Sequence, residues 1–120
     1  MDWLDILIPL ALLLFFGRML LPVRGITLIT TEQLKEKIKD QHVQLIDVRT
    51  NGEFKGRNIS SFKNLPLHQL GSKLDTLDPS KEVVLICQSG MRSSKAAKLL
   101  KKKGFKKITN VSGGMNAWRG

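Results

Sequence analysis

The sequence predicts an α/β domain with a mostly parallel central sheet flanked by helices, preceded by one transmembrane helix. Three observations predict it. Short β-favouring runs alternate with helical patterns from residue 26 onward. Val83 to Ile86 is apolar at four successive positions, the pattern of a strand buried on both faces. The chain opens very differently, with the twelve uncharged residues ILIPLALLLFFG from Ile6 to Gly17.

Extended from Trp3 to Pro22, the opening segment reaches about the 20 residues of a spanning helix. Asp5 and Arg18 lie near its ends, where they can reach an interface, and Trp3 suits an interfacial anchor. A secretory signal peptide would carry Lys or Arg before the apolar core and a small-residue cleavage site after it. Here Asp2 and Asp5 precede the core and RMLLPVRG follows it. The reading is therefore an uncleaved anchor, ahead of a signal peptide, a buried core helix or an interfacial helix. Arg18, Arg24, Lys35, Lys37 and Lys39 all follow the apolar run and no basic residue precedes it. The positive-inside rule then makes the protein single-pass, with its domain facing the cytoplasm. Residues 1–25 form the anchor and linker, and residues 26–120 the domain.

Ile26 to Ile29 is a short strand. Thr30 and Gln33 form a capping box for a helix that carries Leu34 and Ile38 on one face. Val43 to Val48 is the next strand, with Asp47 and Arg49 at its carboxyl end. Thr50 and Glu53 make a second capping box for a short helix. Asn64 to Leu67 reads as a brief strand stopped by Pro66. Leu70, Leu74 and Leu77 form a helical stripe that ends at Asp78-Pro79. A helix from about Arg92 to Lys103 turns Ala96, Ala97, Leu99 and Leu100 to the core and stops at Gly104. Lys106 to Val111 is a last strand, and Gly113-Gly114 turns into a final short helix with Ala117 and Trp118.

Composition narrows the function. Twenty Lys and Arg face ten Asp and Glu, a net charge of +10. Residues 1–25 hold two acids and two bases, so the excess belongs to the remainder. Such charge suits anionic substrates, anionic lipid or nucleic acid. No nucleic-acid recognition motif is present and aromatics are few, so no nucleic-acid partner is expected. The lysines at 101–103, 106 and 107 read as a solvated face that complements a helix dipole, with anionic lipid as a second reading. A single cysteine excludes an internal disulfide framework and points to a reducing compartment. His42 and His68 are far apart and read as surface residues; no metal site and no cofactor is expected.

That cysteine, Cys87, stands where the best strand runs into a helix. Unpaired amides and the positive end of a helix dipole favour a thiolate there, and the Gly90 turn lets backbone N–H groups converge on one point. The loop Gln88, Ser89, Gly90 and Met91, closed by Arg92, can wrap a small oxyanion. The thiolate attacks while the amides stabilise the charged adduct. Asp47, Arg49 and Glu53 read as an internal salt-bridge and capping network, and Trp118 as packing.

Three stretches resemble the rhodanese family of sulfurtransferases: LIDVRTNGEF at 45–54 followed by N-LPL at 64–67, VVLICQSGMRSSKAA at 83–97, and VSGGMNAW at 111–118. The likeness covers about residues 26–120. It implies that Cys87 takes the outer sulfur of a small anionic donor such as thiosulfate and becomes a persulfide, cradled by Gln88 to Arg92. A thiol or protein acceptor, or cyanide in an assay, then removes that sulfur. Phosphatases on the same fold have a loop one residue longer, so the four residues between Cys87 and Arg92 favour sulfur over phosphate or arsenate. The alternative reading is a non-catalytic or sulfur-carrier docking module at the membrane. Two departures from the family pattern stand out. Arg57-Asn58-Ile59-Ser60-Ser61-Phe62 replaces a Gly-His-Ile-x-Gly-Ala element, which puts local packing in question, and Gln88 stands where Arg is frequent.

Overall fold

The protein is described by a computed structural model covering residues 2–20 and 25–120. After an N-terminal helix, five strands form one parallel sheet. In chain order the elements are α1 (Leu4–Leu20), β1 (Ile26–Ile29), α2 (Thr31–Lys37), β2 (Gln44–Asp47), α3 (Asn51–Gly56) and β3 (Lys63–Asn64). They continue with α4 (Leu67–Leu70), a 3-10 turn (Leu74–Thr76), β4 (Val83–Ile86), α5 (Met91–Lys102), β5 (Ile108–Val111) and α6 (Gly114–Ala117). The strand order is β1-β5-β4-β2-β3, and every pairing is parallel.

Alternation along the strands divides the core into two layers. On one face Val83, Leu85, Ile46 and Ile108 meet Ala96, Ala97 and Leu100 of α5 and Leu70 of α4. On the other, Val84, Ile86 and Val111 meet Leu34 of α2 and Met115 of α6, with Phe54 of α3 packed against them. β4 lies at the centre and all four of its residues are buried, as its unbroken apolar run requires. Both capping boxes form. Thr30 Oγ1 accepts from Gln33 N at 3.1 Å, and Thr50 Oγ1 accepts from Glu53 N at 3.3 Å. In each, the side chain three residues on accepts from the cap's own amide.

The structure corrects four expectations of the elements. The strand expected from Asn64 to Leu67 covers only Lys63–Asn64, and Leu67 opens α4 behind Pro66. The spanning helix is not present: among the described residues no helix is long and apolar enough to cross a membrane. Helix α1 has 17 residues, about 25 Å at 1.5 Å per residue, against a hydrocarbon core of about 30 Å. The end of the expected 3–22 segment, residues 21 and 22, lies outside the described residues. The Leu70–Leu74–Leu77 stripe is not one helix. Gly71 and Ser72, both poor helix formers, separate α4 from the 3-10 turn, where Leu77 N donates to Leu74 O. The final strand begins at Ile108 rather than Lys106, because Lys106 and Lys107 are exposed at the sheet margin.

The departure at Arg57–Phe62 finds its packing. Arg57 donates to Met115 O at 3.1 Å and Trp118 O at 2.7 Å, tying the end of α3 to α6, while Ile59 and Phe62 are buried beneath.

Candidate active site

Cys87 is the first residue beyond β4, at the carboxyl end of the central strand, where an open parallel sheet gathers its functional loops. The backbone then turns through Gly90, whose φ of +101° is open to glycine and strained for other residues, and enters α5. The turn brings donors onto the sulfur. Gly90 N donates to Cys87 Sγ at 3.0 Å, and Ser93 Oγ lies 3.2 Å from it. Burial pushes the thiol pKa up. The Ser93 hydroxyl and the amides of Ser93, Gly90 and Ser89 outweigh burial and bring it below the ordinary value. The sulfur is thus a buried thiol held towards its anionic form.

Ser93 has one proton and two partners, since its Oγ also reaches Gly90 O at 3.1 Å. With a protonated thiol the hydroxyl donates to Gly90 O; with a thiolate it can turn to the sulfur. Ser93 escaped the sequence reading, which stopped at Arg92. Its signal is spacing: it falls in the first turn of α5, three residues after Gly90, so its side chain points back over the loop.

The loop is pinned from behind by α6. Met115 N donates to Cys87 O at 2.8 Å and Asn116 N to Gln88 O at 2.9 Å. Gly114 makes this approach fit, because a Cβ there would lie 2.1 Å from Cys87 O. That is the physical reason for the Gly-Gly pair in VSGGMNAW.

The side chains of Gln88 and Arg92 are engaged away from the sulfur. Gln88 donates to Asn116 Oδ1 at 2.5 Å and accepts from Arg49 Nη1 at 3.2 Å. Met91 is exposed. Arg92 does not point into the loop. It is held by both carboxylate oxygens of Glu53, at 2.6 and 2.8 Å, so the guanidinium reaches the sulfur only as a nearby charge. The same contact, ahead of bonds from Thr50 and against a burial cost, holds Glu53 down to about 2, and Glu53 is therefore ionised at neutral pH. Asp47 and Arg49 form the expected buried pair at 2.8 Å. Two open cavities flank the loop. One of about 440 Å³ is lined by Ser89, Gly90 and Met91; another of about 320 Å³ is lined by Thr50, His68 and Arg92.

Residues 30–120 match the model of the rhodanese-like domain. The chain belongs to that family. It is 45% identical over 93 residues to the protein YtwF of Bacillus subtilis, spanning 77% of this chain and 89% of that one. It is 32% identical over 91 residues to a sulfurtransferase of Allochromatium vinosum, covering 75% of this chain and 85% of that one. The crystal structure of a rhodanese-like domain protein from Staphylococcus aureus superposes with a TM-score of 0.72 at 33% identity, over 78% of this chain and 91% of that one. In this rhodanese-like chain the parallel sheet, the loop after β4 and the Gly-Gly pair form one unit: the sheet delivers Cys87, the loop surrounds it, and α6 fixes the loop.

Proposed function

We propose that the chain is a rhodanese-type sulfurtransferase that carries a sulfane sulfur on Cys87. The observation that carries this reading is the convergence of the Gly90 amide and the Ser93 hydroxyl on Cys87 Sγ. The thiolate attacks the outer sulfur of a donor such as thiosulfate. A new S–S bond forms, the donor's own S–S bond breaks, and sulfite leaves with the electron pair. The resulting persulfide keeps its negative charge beside the amides of Ser89, Gly90 and Ser93. A thiolate acceptor then attacks the outer sulfur, and the electron pair returns to Cys87. The names of the sulfurtransferase relatives support the reaction class.

Glu53 is ionised and engaged with Arg92, so it does not supply the acid an oxyanion ester hydrolysis would use. Thiosulfate and cyanide turnover, measured for the full chain and for Cys87→Ser, tests the proposal. Equal activity in both proteins would sink it. Intact mass separates the alternative: a gain of one sulfur on Cys87 without turnover marks a sulfur carrier.

We also propose that residues 1–25 attach a domain spanning 26–120 to the cytoplasmic side of a membrane, by lipid contact of α1 rather than by a span. Lipid contact is supported by the exposure of Leu12, Leu13, Leu14, Phe15 and Phe16, a contiguous apolar surface. The basic residues that follow it and the free thiol support the cytoplasmic side. Fractionation decides: the full chain sediments with membranes, whereas recovery as a soluble protein lacking residues 1–25 would indicate cleavage.

A further inference from the structure

The groove of about 440 Å³ beside the loop is built unlike a site for a small anion. Its floor comes from the sheet. Leu28 of β1 is in register with Asn110 of β5, so both project from the face that carries α5. One wall is α5, which contributes Ser94, Lys95 and Lys98; the loop residues Ser89, Gly90 and Met91 close the end. Leu28 is 56% exposed and Met91 74%, two large apolar side chains left open at the rim. Asn110 is only 4% exposed, and its Oδ1 is buried without a hydrogen-bond partner among the described residues. Its Nδ2 is directed at Gly90 O, at 3.4 Å. A buried acceptor with no donor is costly.

The charge is one-sided. Helix α5 contains no acidic residue. Among the described residues neither Lys95 nor Lys98 has a carboxylate within 4.0 Å, whereas Arg92 is already neutralised by Glu53. The groove therefore offers two cations unpaired among the described residues and two apolar contacts. It ends at Gly90, whose amide touches Cys87 Sγ at 3.0 Å.

We infer that this groove docks an acidic polypeptide segment bearing the cysteine that accepts sulfur from Cys87. Carboxylates of the segment pair with Lys95 and Lys98, and its apolar side chains cover Leu28 and Met91. The role as acceptor site rests on the sulfur-transfer reading. The acceptor thiolate attacks the outer sulfur of the persulfide, the Cys87 Sγ–S bond breaks, its electron pair returns to Cys87, and the acceptor leaves as a persulfide.

The test uses the full chain in neutral detergent with two fluorescent peptides, one cysteine among Asp and Glu residues and its Asn and Gln counterpart. Anisotropy reads binding, and intact mass reads discharge of persulfidated Cys87. The acidic peptide binds and discharges about tenfold better than the neutral one, and the preference fades with salt. Lys95→Glu with Lys98→Glu abolishes the preference and leaves discharge by cyanide unchanged. Equal behaviour of the two peptides, or an acidic preference that survives the lysine changes, overturns the inference. Lysine-dependent adsorption to phosphatidylserine vesicles with no peptide preference also overturns it, and assigns the lysines to lipid. If Cys87 takes up no sulfur, anisotropy still decides the docking surface: lysine-dependent binding upholds it and confines the failure to sulfur transfer, and absent binding overturns it.

Discussion

Glu53 grips Arg92 through both carboxylate oxygens, at 2.6 and 2.8 Å, and so joins the N-terminus of α3 to that of α5. Glu53 also completes the Thr50 capping box, which means one carboxylate serves two helix starts. The guanidinium at the end of the loop is thereby a brace for the loop's far side, and the positive field at Cys87 comes mainly from amides and the serine hydroxyl.

The pH dependence of that brace follows from its sign. Arg92 holds the Glu53 carboxyl down from 4.5 to about 2. A depressed carboxylate contributes stability above its unfolded value, and the contribution is lost as pH falls through the folded one. Both side chains are about one-third exposed, so solvent limits the effect to about 1 kcal/mol or less. Glu53→Gln melts lower than the parent at pH 7. The gap narrows below about pH 4.5 and closes near pH 2. Thermal melts across that range check it; a gap independent of pH would contradict the ion pair.

Ser93→Ala removes a hydroxyl donor from Cys87 Sγ while placing a good helix former in the first turn of α5. A hydrogen bond to a charged group contributes about 1.5–3 kcal/mol. The thiol pKa rises in the variant, because the thiolate loses the hydroxyl that helps to hold it down. Alkylation rate against pH reads this directly, and the low-pH limb of sulfur-transfer activity moves up with it. An unshifted profile would show that the amides alone set the thiolate.

Gly114→Ala and Gly52→Ala form a matched pair. At Gly114 a Cβ would lie 2.1 Å from Cys87 O, on a backbone with φ of +54°. At Gly52 nothing lies within 4 Å and the residue is helical. The first change therefore destabilises by about 3 kcal/mol or more and displaces the loop. The second is neutral or stabilises by up to about 1 kcal/mol. Denaturant midpoints separate them. A mild Gly114→Ala variant with a normal Cys87 pKa would mean that α6 does not pin the loop.

Where local chemistry and tertiary structure agree, the sequence was readable. Val83–Ile86 is buried on both faces as its pattern required, both capping boxes formed, and Gly104 ends α5 with φ of +92°. The cysteine's position after β4 was legible for the same reason. What escaped depends on contacts between distant residues. Arg92 reads locally as a loop cation, but Glu53 lies 39 positions away in sequence and captures it. Gly114 reads as a turn residue, although its small size matters because Cys87 O presses on it. Asn110 gave no signal, since a polar residue in a strand acquires meaning only from its neighbours. The apolar length of residues 3–22 suggested a span; the helix observed among the described residues ends at Leu20.

Asp47 and Arg49 make the sharpest stability prediction, because neither can leave alone. Arg49 is 2% exposed. Its Nε lies 3.1 Å from both Asp47 oxygens, its Nη2 donates to Asp47 at 2.8 Å and to Arg57 O at 2.6 Å, and its Nη1 reaches Gln88. Arg49→Met strands the Asp47 carboxylate in the core and costs about 3–5 kcal/mol. Arg49→Lys recovers little, because one ammonium cannot span Asp47, Arg57 and Gln88 together. Asp47→Leu combined with Arg49→Met removes both charges and recovers most of the loss, since a buried pair is worth little against packed apolar side chains. Denaturant unfolding of the three variants checks the order. A double variant as unstable as Arg49→Met alone would show that the bonds to Arg57 and Gln88, rather than the ion pair, hold this end of the sheet.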